Sequence, residues 1–313
     1  MYNTLCLALI PPSFVILLGW ISARLGYLKK EQASVLGTLV MKFALPLALL
    51  AGVIKLPFSE LPRMPYILCL ATGFMGIYLI AFLLGRFLFR NDLASSAIQA
   101  LLCAFPSMAF SGVPILGLVI GSRGLVPILV GNMVTSFVMI PLTLFLIQMG
   151  TSANGKGISA TIRIALESTA HAAKEPIVWL PIAGIVVSWF GIHPPEALLD
   201  GIKLMGNASA GVGCFVLGLM LYGSRFRMST ELFSNVALKN VAQPLLIATL
   251  IPAFGIMASN SRELILTGAI PVATTVSIIA LRSEKYKDET IASTLAGTVL
   301  SIVTVAFVII LTR

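Results

Sequence analysis

The chain has 313 residues, of which 58% are hydrophobic and 11% are charged, and its formal net charge is +9. This composition excludes an ordinary soluble domain and indicates a protein that crosses a membrane several times. We attribute the positive charge to basic residues in cytoplasmic loops, so it does not indicate a nucleic-acid partner. The four cysteines lie in apolar stretches without CxxC spacing, which predicts neither a disulfide nor a metal site.

A helix needs about 20 mostly apolar residues to cross a bilayer, and ten stretches of the chain fit that rule, although the sixth is short. In chain order they are Thr4–Ala23, Ala33–Ile54, Tyr66–Phe89, Leu93–Ile120, Leu125–Met149, Ile177–Ile192, Ala197–Tyr222, Leu232–Met257, Leu264–Leu281 and Ile291–Leu311.

Lysine and arginine are distributed unevenly between the two sets of loops. One set contains thirteen of these residues and the opposite set contains six. The richer side is expected to be cytoplasmic, which places both termini outside the cell membrane. The longest connection, residues 151–175, is then cytoplasmic. It begins as a flexible linker by composition. Its apolar residues at helical spacing, residues 158–166, fit either a surface amphipathic helix or a plain loop.

Two spans are interrupted by proline. The stretch Ala97–Gly121 contains Pro106, and Arg262–Tyr286 contains Pro271. Proline has no backbone N–H to donate, and its ring clashes with the preceding helical turn, so each helix is predicted to break there. The two prolines are 165 residues apart (271 − 106 = 165), and one ungapped shift of that size relates the spans of both halves.

Five spans per half is an odd number, so the halves must have opposite orientations in the bilayer. The sequence therefore predicts two inverted five-helix repeats, residues 1–150 and 176–313, joined by the cytoplasmic linker 151–175. Inverted repeats with interrupted helices at matching places are typical of transporters, whose substrate site lies at the interruptions.

Each half-helix that begins after a break has free N–H groups and a partial positive charge. Inverted symmetry would bring these two ends to one cavity, where they attract an anion such as a carboxylate. Hydroxyl groups near the breaks add donors. The predicted substrate-binding residues at the breaks are Pro106, Ser107, Ser111, Pro271, Thr274 and Thr275. The alternative is two ordinary proline kinks whose backbone is satisfied by serine and threonine.

Lys42 lies in the middle of the second span, where a charge usually has a function. It is interpreted either as the counter-ion of an anionic substrate or as a group that holds the carbonyl ends of the broken helices. The third interpretation is that the Lys42 side chain snorkels, so that its ammonium reaches the membrane surface. Asn207, its counterpart in the second half, is predicted to line the cavity. The small residues around Asn207 also favour simple helix packing.

Other polar residues inside spans form two groups. Lys239 and Gln243 are predicted to support the site or its coupling, with snorkelling as the alternative for Lys239. Asn132 and Ser136 belong to a polar stripe that either lines the cavity or joins helices. No aspartate or glutamate lies well inside a predicted span, which argues against a cation site built on a buried carboxylate.

No catalytic motif, metal-ligand pattern or cofactor motif is recognised, so the sequence predicts no enzyme and no cofactor. The predicted function is transport of small organic anions. A membrane receptor or channel of the same architecture is the alternative.

Four segments resemble the auxin efflux carrier family in its bacterial permease branch, which includes malonate-transporter-like proteins. They are LVMKFALPLAL at Leu39–Leu49, FPSMAFSGVPILG at Phe105–Gly117, AAKEPIVWLPIAG at Ala172–Gly184 and GAIPVATTVSIIALRSEKY at Gly268–Tyr286. Two departures stand out: Ser107 replaces an asparagine common in relatives, and Lys42 replaces an asparagine or aspartate.

The resemblance implies an all-α fold of ten helices like that of bile-acid symporters and sodium–proton antiporters, with the fourth and ninth helices crossing at Pro106 and Pro271. It implies a scaffold of helices 1, 2, 6 and 7, through which relatives dimerise, and a moving core of helices 3–5 and 8–10. It further implies mono- or dicarboxylate substrates, elevator-like movement and a bacterial inner-membrane location.

Overall fold

The computed structural model describes residues 2–55, 62–151, 170, 174–190, 194–223 and 228–312. The predicted amphipathic segment, residues 158–166, lies outside these ranges. In chain order the helices are α1 (Tyr2–Arg24), α2 (Ala33–Leu39), α3 (Leu45–Lys55), α4 (Met64–Leu83), α5 (Leu93–Ala104), α6 (Val113–Ile120), α7 (Leu125–Val134), α8 (Ile140–Thr151), α9 (Pro176–Trp189), α10 (Glu196–Leu221), α11 (Thr230–Ala237), α12 (Gln243–Ala253), α13 (Ala258–Ala269), α14 (Thr275–Ser283) and α15 (Lys287–Leu311).

The described residues form helices and no strands, apart from an isolated antiparallel bridge between Pro106 and Val272. Six continuous helices are long and apolar enough to cross a membrane: Ala33–Gly52, Met64–Leu88, Leu125–Thr151, Glu196–Leu221, Thr230–Ala253 and Lys287–Leu311. The prediction of an all-α polytopic membrane protein is confirmed at this level. Shorter apolar helices cover Ser13–Arg24, Leu93–Ala104, Phe110–Ile120 and Pro176–Trp189.

π-helical turns join or extend several of these helices, and in an α-helix such turns are frequent at functional sites. In the described part of the chain they are Val40–Ala44, Leu84–Leu88, Met108–Gly112, Thr135–Met139 and Leu238–Ala242. Four of the five contain a residue that is predicted from the sequence to bind the substrate or to support its site, namely Lys42, Ser111, Ser136 and Lys239. The selected side chains therefore lie where the helical backbone is locally widened.

The chain divides into two compact units. The first unit comprises Met1–Arg63, Met108–Asn132 and Lys174–Ser224, and the second comprises Met64–Ser107, Met133–Ala173 and Arg225–Arg313. In the first unit, α1 and α10 touch backbone to backbone. A Cβ atom at Gly19 would lie 2.1 Å from the carbonyl oxygen of Phe215, so only glycine allows this approach.

The second unit has an apolar centre built on α4, where Leu70, Phe74 and Ile77 are almost completely buried. Gly73 lets α4 approach α12, because a Cβ atom there would lie 2.5 Å from the side chain of Ile247. The Tyr78 hydroxyl joins α4 to α8 through a 2.9 Å hydrogen bond with Thr143. These contacts hold α4 against α8 and α12.

A polar network joins α5 and α11 to the residue that precedes α15 in the second unit. Gln99 Nε2 donates to Asn235 Oδ1 at 2.8 Å, and Asn235 Nδ2 donates to the Tyr286 hydroxyl at 3.1 Å. Tyr286 in turn donates to Glu231 Oε2 at 2.5 Å. Burial raises the pKa of Tyr286, which keeps the hydroxyl protonated and able to donate.

Candidate functional site

The two interrupted segments pair with each other inside the second unit. Helix α5 ends at Ala104 and α13 ends at Ala269, each just before its proline. The Ser107 N–H donates to Pro271 O at 2.7 Å, and the Ala273 N–H donates to Phe105 O at 2.9 Å. The two breaks therefore satisfy part of each other's backbone, which a helix interrupted inside a membrane requires.

Lys239 and Gln243 hold the carbonyl ends of the two helices that stop at the breaks. Lys239 Nζ donates to Gly268 O at 3.0 Å, near the end of α13. Gln243 Nε2 donates to Ala104 O at 2.8 Å, at the end of α5. The two side chains are also joined, because Lys239 Nζ donates to Gln243 Oε1 at 2.5 Å. The cation therefore lies at the partially negative end of α13 and is linked to the end of α5 through Gln243.

The side chains of this cluster lie deep in the second unit. Lys239 is 2% exposed and Gln243 is fully buried. Snorkelling of Lys239, one of the two interpretations of the sequence, is therefore wrong. The π-helical turn Leu238–Ala242 contains Lys239 and directly precedes Gln243, which is one turn further along the same helix. This spacing places both donors on the same side of the helix.

The hydroxyl of Ser107 lies next to the crossing and has no hydrogen-bond partner, although the residue is only 2% exposed. An unmade hydrogen bond of a buried hydroxyl costs about 1–3 kcal/mol. Thr274 and Thr275, at the beginning of α14, are partly buried. The crossing thus combines compensated carbonyl ends with a hydroxyl that is available to a ligand.

Lys42 is placed in the first unit, where its ammonium pairs with the carboxylate of Glu175 through both oxygens. The distance from Nζ to Oε1 is 2.6 Å. The side chains are 44% and 39% exposed, respectively. Glu175 is the N-cap residue of α9, so its charge also lies at the positive end of a helix. Any anion that binds Lys42 has to compete with Glu175.

We expect Lys42 and Glu175 to be thermodynamically coupled. Lys42→Ala leaves the Glu175 carboxylate without its cation, whereas Lys42→Ala/Glu175→Ala removes both charges. Because both side chains are more than a third exposed, the expected coupling free energy is below about 1 kcal/mol. Thermal unfolding of the wild type, the two single variants and the double variant measures it.

Additive effects in this double-mutant cycle would contradict the coupling. Transport by the same four proteins tests the predicted role of Lys42 in substrate binding. If Lys42→Ala abolishes uptake and the double variant is also inactive, the result supports a role of Lys42 in substrate binding. If the double variant recovers uptake, Lys42 does not bind the substrate.

The remaining selected residues are distributed over both units. In the first unit, Ser111 and Asn132 are buried. Asn207 lines a cavity of about 500 Å³ among α3, α6 and α10. In the second unit, Ser136 is half-buried in its π-helical turn. The half-helix that follows Pro106 belongs mainly to the first unit, and α14, which follows Pro271, belongs to the second.

The structural roles of two carboxylates were not predicted from the sequence. Glu175 was assigned to a loop, but the structure pairs it with Lys42. Glu263 lies one residue before the predicted ninth span and is 4% exposed in α13, a burial that the sequence did not predict. The signal for Glu263 was its place one residue before the predicted ninth span, which α13 extends by six residues towards its N-terminus (264 − 258 = 6).

The comparisons with known proteins give matches over nearly the whole chain. A family profile described as "Membrane transport protein" matches residues 5–309. The "Uncharacterized transporter YfdV" of Escherichia coli strain K12 is 29% identical over 310 residues, which cover 95% of this chain and 94% of the relative.

Two further relatives are more distant. A "Putative malonate transporter" of Rhizobium meliloti is 25% identical over 311 residues, which cover 97% of this chain and 95% of the relative. An "Uncharacterized transporter" of Methanothermobacter thermautotrophicus is 25% identical over 295 residues, which cover 92% of each chain.

Proposed function

Because the chain belongs to the membrane transport protein family, the family of the auxin efflux carriers, we propose that it is a secondary transporter for small organic anions. The observation that carries the proposal is the pairing of the two breaks in the second unit. The anion binds at the crossing, where it accepts hydrogen bonds from the hydroxyl of Ser107 and from the start of α14.

The charge distribution at the crossing supports an anionic substrate. The two carbonyl ends, at Ala104 and Gly268, already have donors in Gln243 and Lys239. The start of α14 has its partial positive charge and no such compensation among the contacts described above. A ligand with negative charge and several acceptor oxygens fits this environment, and a carboxylate is the simplest one.

One relative bears on the substrate. The Rhizobium meliloti protein is named a putative malonate transporter, and malonate is a small dicarboxylate. That this chain, at 25% identity, also transports malonate or another small mono- or dicarboxylate is part of this proposal.

The proposed architecture is the ten-helix arrangement of two inverted repeats, residues 1–150 and 176–313. The antiparallel pairing of the two breaks supports it, because two segments related by a two-fold axis run in opposite directions. In this proposal both termini lie outside the inner membrane, the protein is a homodimer, and transport is elevator-like, with α1–α3, α9 and α10 in the static scaffold.

Uptake into liposomes that contain the purified protein tests the function. We expect saturable uptake of labelled carboxylates at rates far below those of a channel. Ser107→Ala should weaken the apparent affinity about 10-fold or more, since a hydrogen bond to a charged group is worth about 1.5–3 kcal/mol.

Ser261→Ala is the matched control, because the Ser261 hydroxyl donates only to its own helix at Met257 O. It should leave uptake unchanged. Folded protein that takes up no carboxylate, or that conducts ions in single-channel recordings, would contradict the proposal.

A further inference from the structure

The second unit contains a cavity of about 510 Å³ among α12, α13 and α15. Along α15 it extends from Val303 to Thr312, a length of about 14 Å at the rise of an α-helix. On the facing helix it extends from Asn240, in the π-helical turn before α12, to Ala248. Small-molecule sites have volumes of about 300–1,000 Å³, so the cavity has the size of a site for an elongated ligand.

The lining of this second-unit cavity is mainly apolar. Among the described residues that line it none is charged, and the apolar ones include Val241, Pro244, Leu245, Ile265, Phe307 and Val308. An ion would lose its hydration here without gaining a counter-ion. The cavity therefore favours a neutral ligand and disfavours the carboxylates that are proposed for the crossing.

Asn240 provides a buried acceptor at one end of the cavity. The residue is 2% exposed, and its Nδ2 donates to Gly297 O at 2.9 Å, which fixes the orientation of the amide. Its Oδ1 has no hydrogen-bond partner. A Cβ atom at Gly297 would lie 3.9 Å from this Oδ1, so glycine leaves space beside it. Native structures usually satisfy such a group with protein, water or a ligand, and a ligand with a donor would do so here.

The two threonines of the lining already donate within their own helix. The Thr304 hydroxyl donates to Leu300 O at 3.4 Å, and the Thr312 hydroxyl donates to Val308 O at 2.7 Å. The unsatisfied acceptor of Asn240 is therefore the group that selects the polar end of a ligand.

The depth of Asn240 increases the value of such a hydrogen bond. The continuous helix Thr230–Ala253 is long enough to cross the membrane, and Asn240 lies ten residues after its first residue and thirteen before its last (240 − 230 = 10; 253 − 240 = 13). A hydroxyl group at this depth finds no partner among lipid tails. A membrane-dissolved hydroxyl compound would gain that partner in the cavity.

We infer that the second-unit cavity binds a neutral, membrane-soluble hydroxyl compound. Its O–H donates to Asn240 Oδ1, and its apolar body lies along α12 and α15. An aromatic body gains a ring contact with Phe307, which lines the same cavity. The site is distinct from the crossing, and the inference does not depend on the transport of anions. A phospholipid tail, which has no donor, is the competing occupant that the experiment separates.

Ala248 offers a way to fill the cavity. It lines the cavity in α12 and is partly buried, so a larger side chain there takes the space of a ligand. Ala253 is the matched control, because it lies in the same helix, is exposed and does not line the cavity.

Equilibrium binding of tritiated 4-hexylphenol to the purified protein in detergent tests the inference. We expect saturable binding that Ala248→Phe weakens about tenfold or more, because the new ring overpacks the site. Ala253→Phe should leave the affinity unchanged. Unlabelled 4-hexylanisole, in which a methyl group replaces the hydroxyl hydrogen, should displace the phenol about fivefold less effectively, the effect of one neutral hydrogen bond. The anion 4-hexylbenzoate should not displace it.

Asn240→Ala tests the acceptor itself. This variant should bind the phenol and the anisole equally well. The ratio of the two affinities is informative even if the loss of the bond to Gly297 O changes both of them, because that change is common to the two ligands.

Three results would overturn the inference: equal affinities for the phenol and the anisole in the wild type, displacement by 4-hexylbenzoate, or unchanged binding in Ala248→Phe. Equal affinities would mean that the cavity accepts any apolar chain, as it would a phospholipid tail. None of these results affects the proposed transport of carboxylates, whose failure is measured separately as absent uptake.

Discussion

Lys239→Met should destabilise the protein and abolish uptake of the transported anion. The substitution keeps the length and apolar stem of the side chain but removes the ammonium that donates to Gly268 O and Gln243 Oε1. These acceptors are buried, and the expected loss of stability is about 2–3 kcal/mol. Removal of a buried charge offsets part of this loss, because its desolvation penalty disappears too. Thermal unfolding and liposome uptake measure the two effects.

Lys287→Met is the matched control for this substitution. Lys287 lies in the same unit, at the beginning of α15, and pairs with Glu284 at the surface, three residues away. Its replacement should change neither the melting temperature nor uptake. A Lys239→Met protein that melts and transports like the wild type would show that the carbonyl ends do not need this cation.

The sequence predicted the class of protein and the positions of the two breaks. Composition and span length indicated a polytopic membrane protein, and the structure contains the apolar helices. Pro106 and Pro271 indicated the interruptions because a proline effect is local: it depends on the chain within one turn. The resemblance to the auxin efflux carriers also pointed to the right family.

The pairing of charged groups was not predictable in the same way. Lys42 and Glu175 are 133 residues apart in the chain, and nothing local in the sequence selects Glu175 over other acids. The sequence left open whether Lys42 holds the carbonyl ends of the broken helices. In the second unit these ends are held by Lys239 and Gln243, whose partners lie 29 and 139 residues away.

The cavity of the first unit, among α3, α6 and α10, was also not predictable from the sequence. The small residues around Asn207 were interpreted as favouring close helix packing, and some of them do so: a Cβ atom at Gly206 would lie 2.9 Å from Ala48 Cα. Gly117 has the opposite role, since nothing fills the space beside it. Whether a glycine permits contact or leaves space depends on the neighbouring helix, which the sequence of one helix does not contain.

Ala273→Pro should abolish uptake, because it removes the backbone N–H that donates to Phe105 O at 2.9 Å. Phe105 is only 8% exposed. The loss of this donor to its carbonyl oxygen is expected to lower the free energy of unfolding by about 1–3 kcal/mol. Ala273→Gly keeps the N–H and should keep uptake, so the pair of variants separates the hydrogen bond from the side chain.

A proline control without such a donor is available in the same unit. Ala258 is the first residue of α13, and the preceding Met257 is extended, with φ −64° and ψ 145°. Proline is well tolerated at the first position of a helix, and an extended residue before it is the preferred conformation. Ala258→Pro should therefore leave uptake unchanged. Normal uptake by Ala273→Pro would mean that transport does not depend on the pairing of the two breaks, and the anion would then have to bind elsewhere.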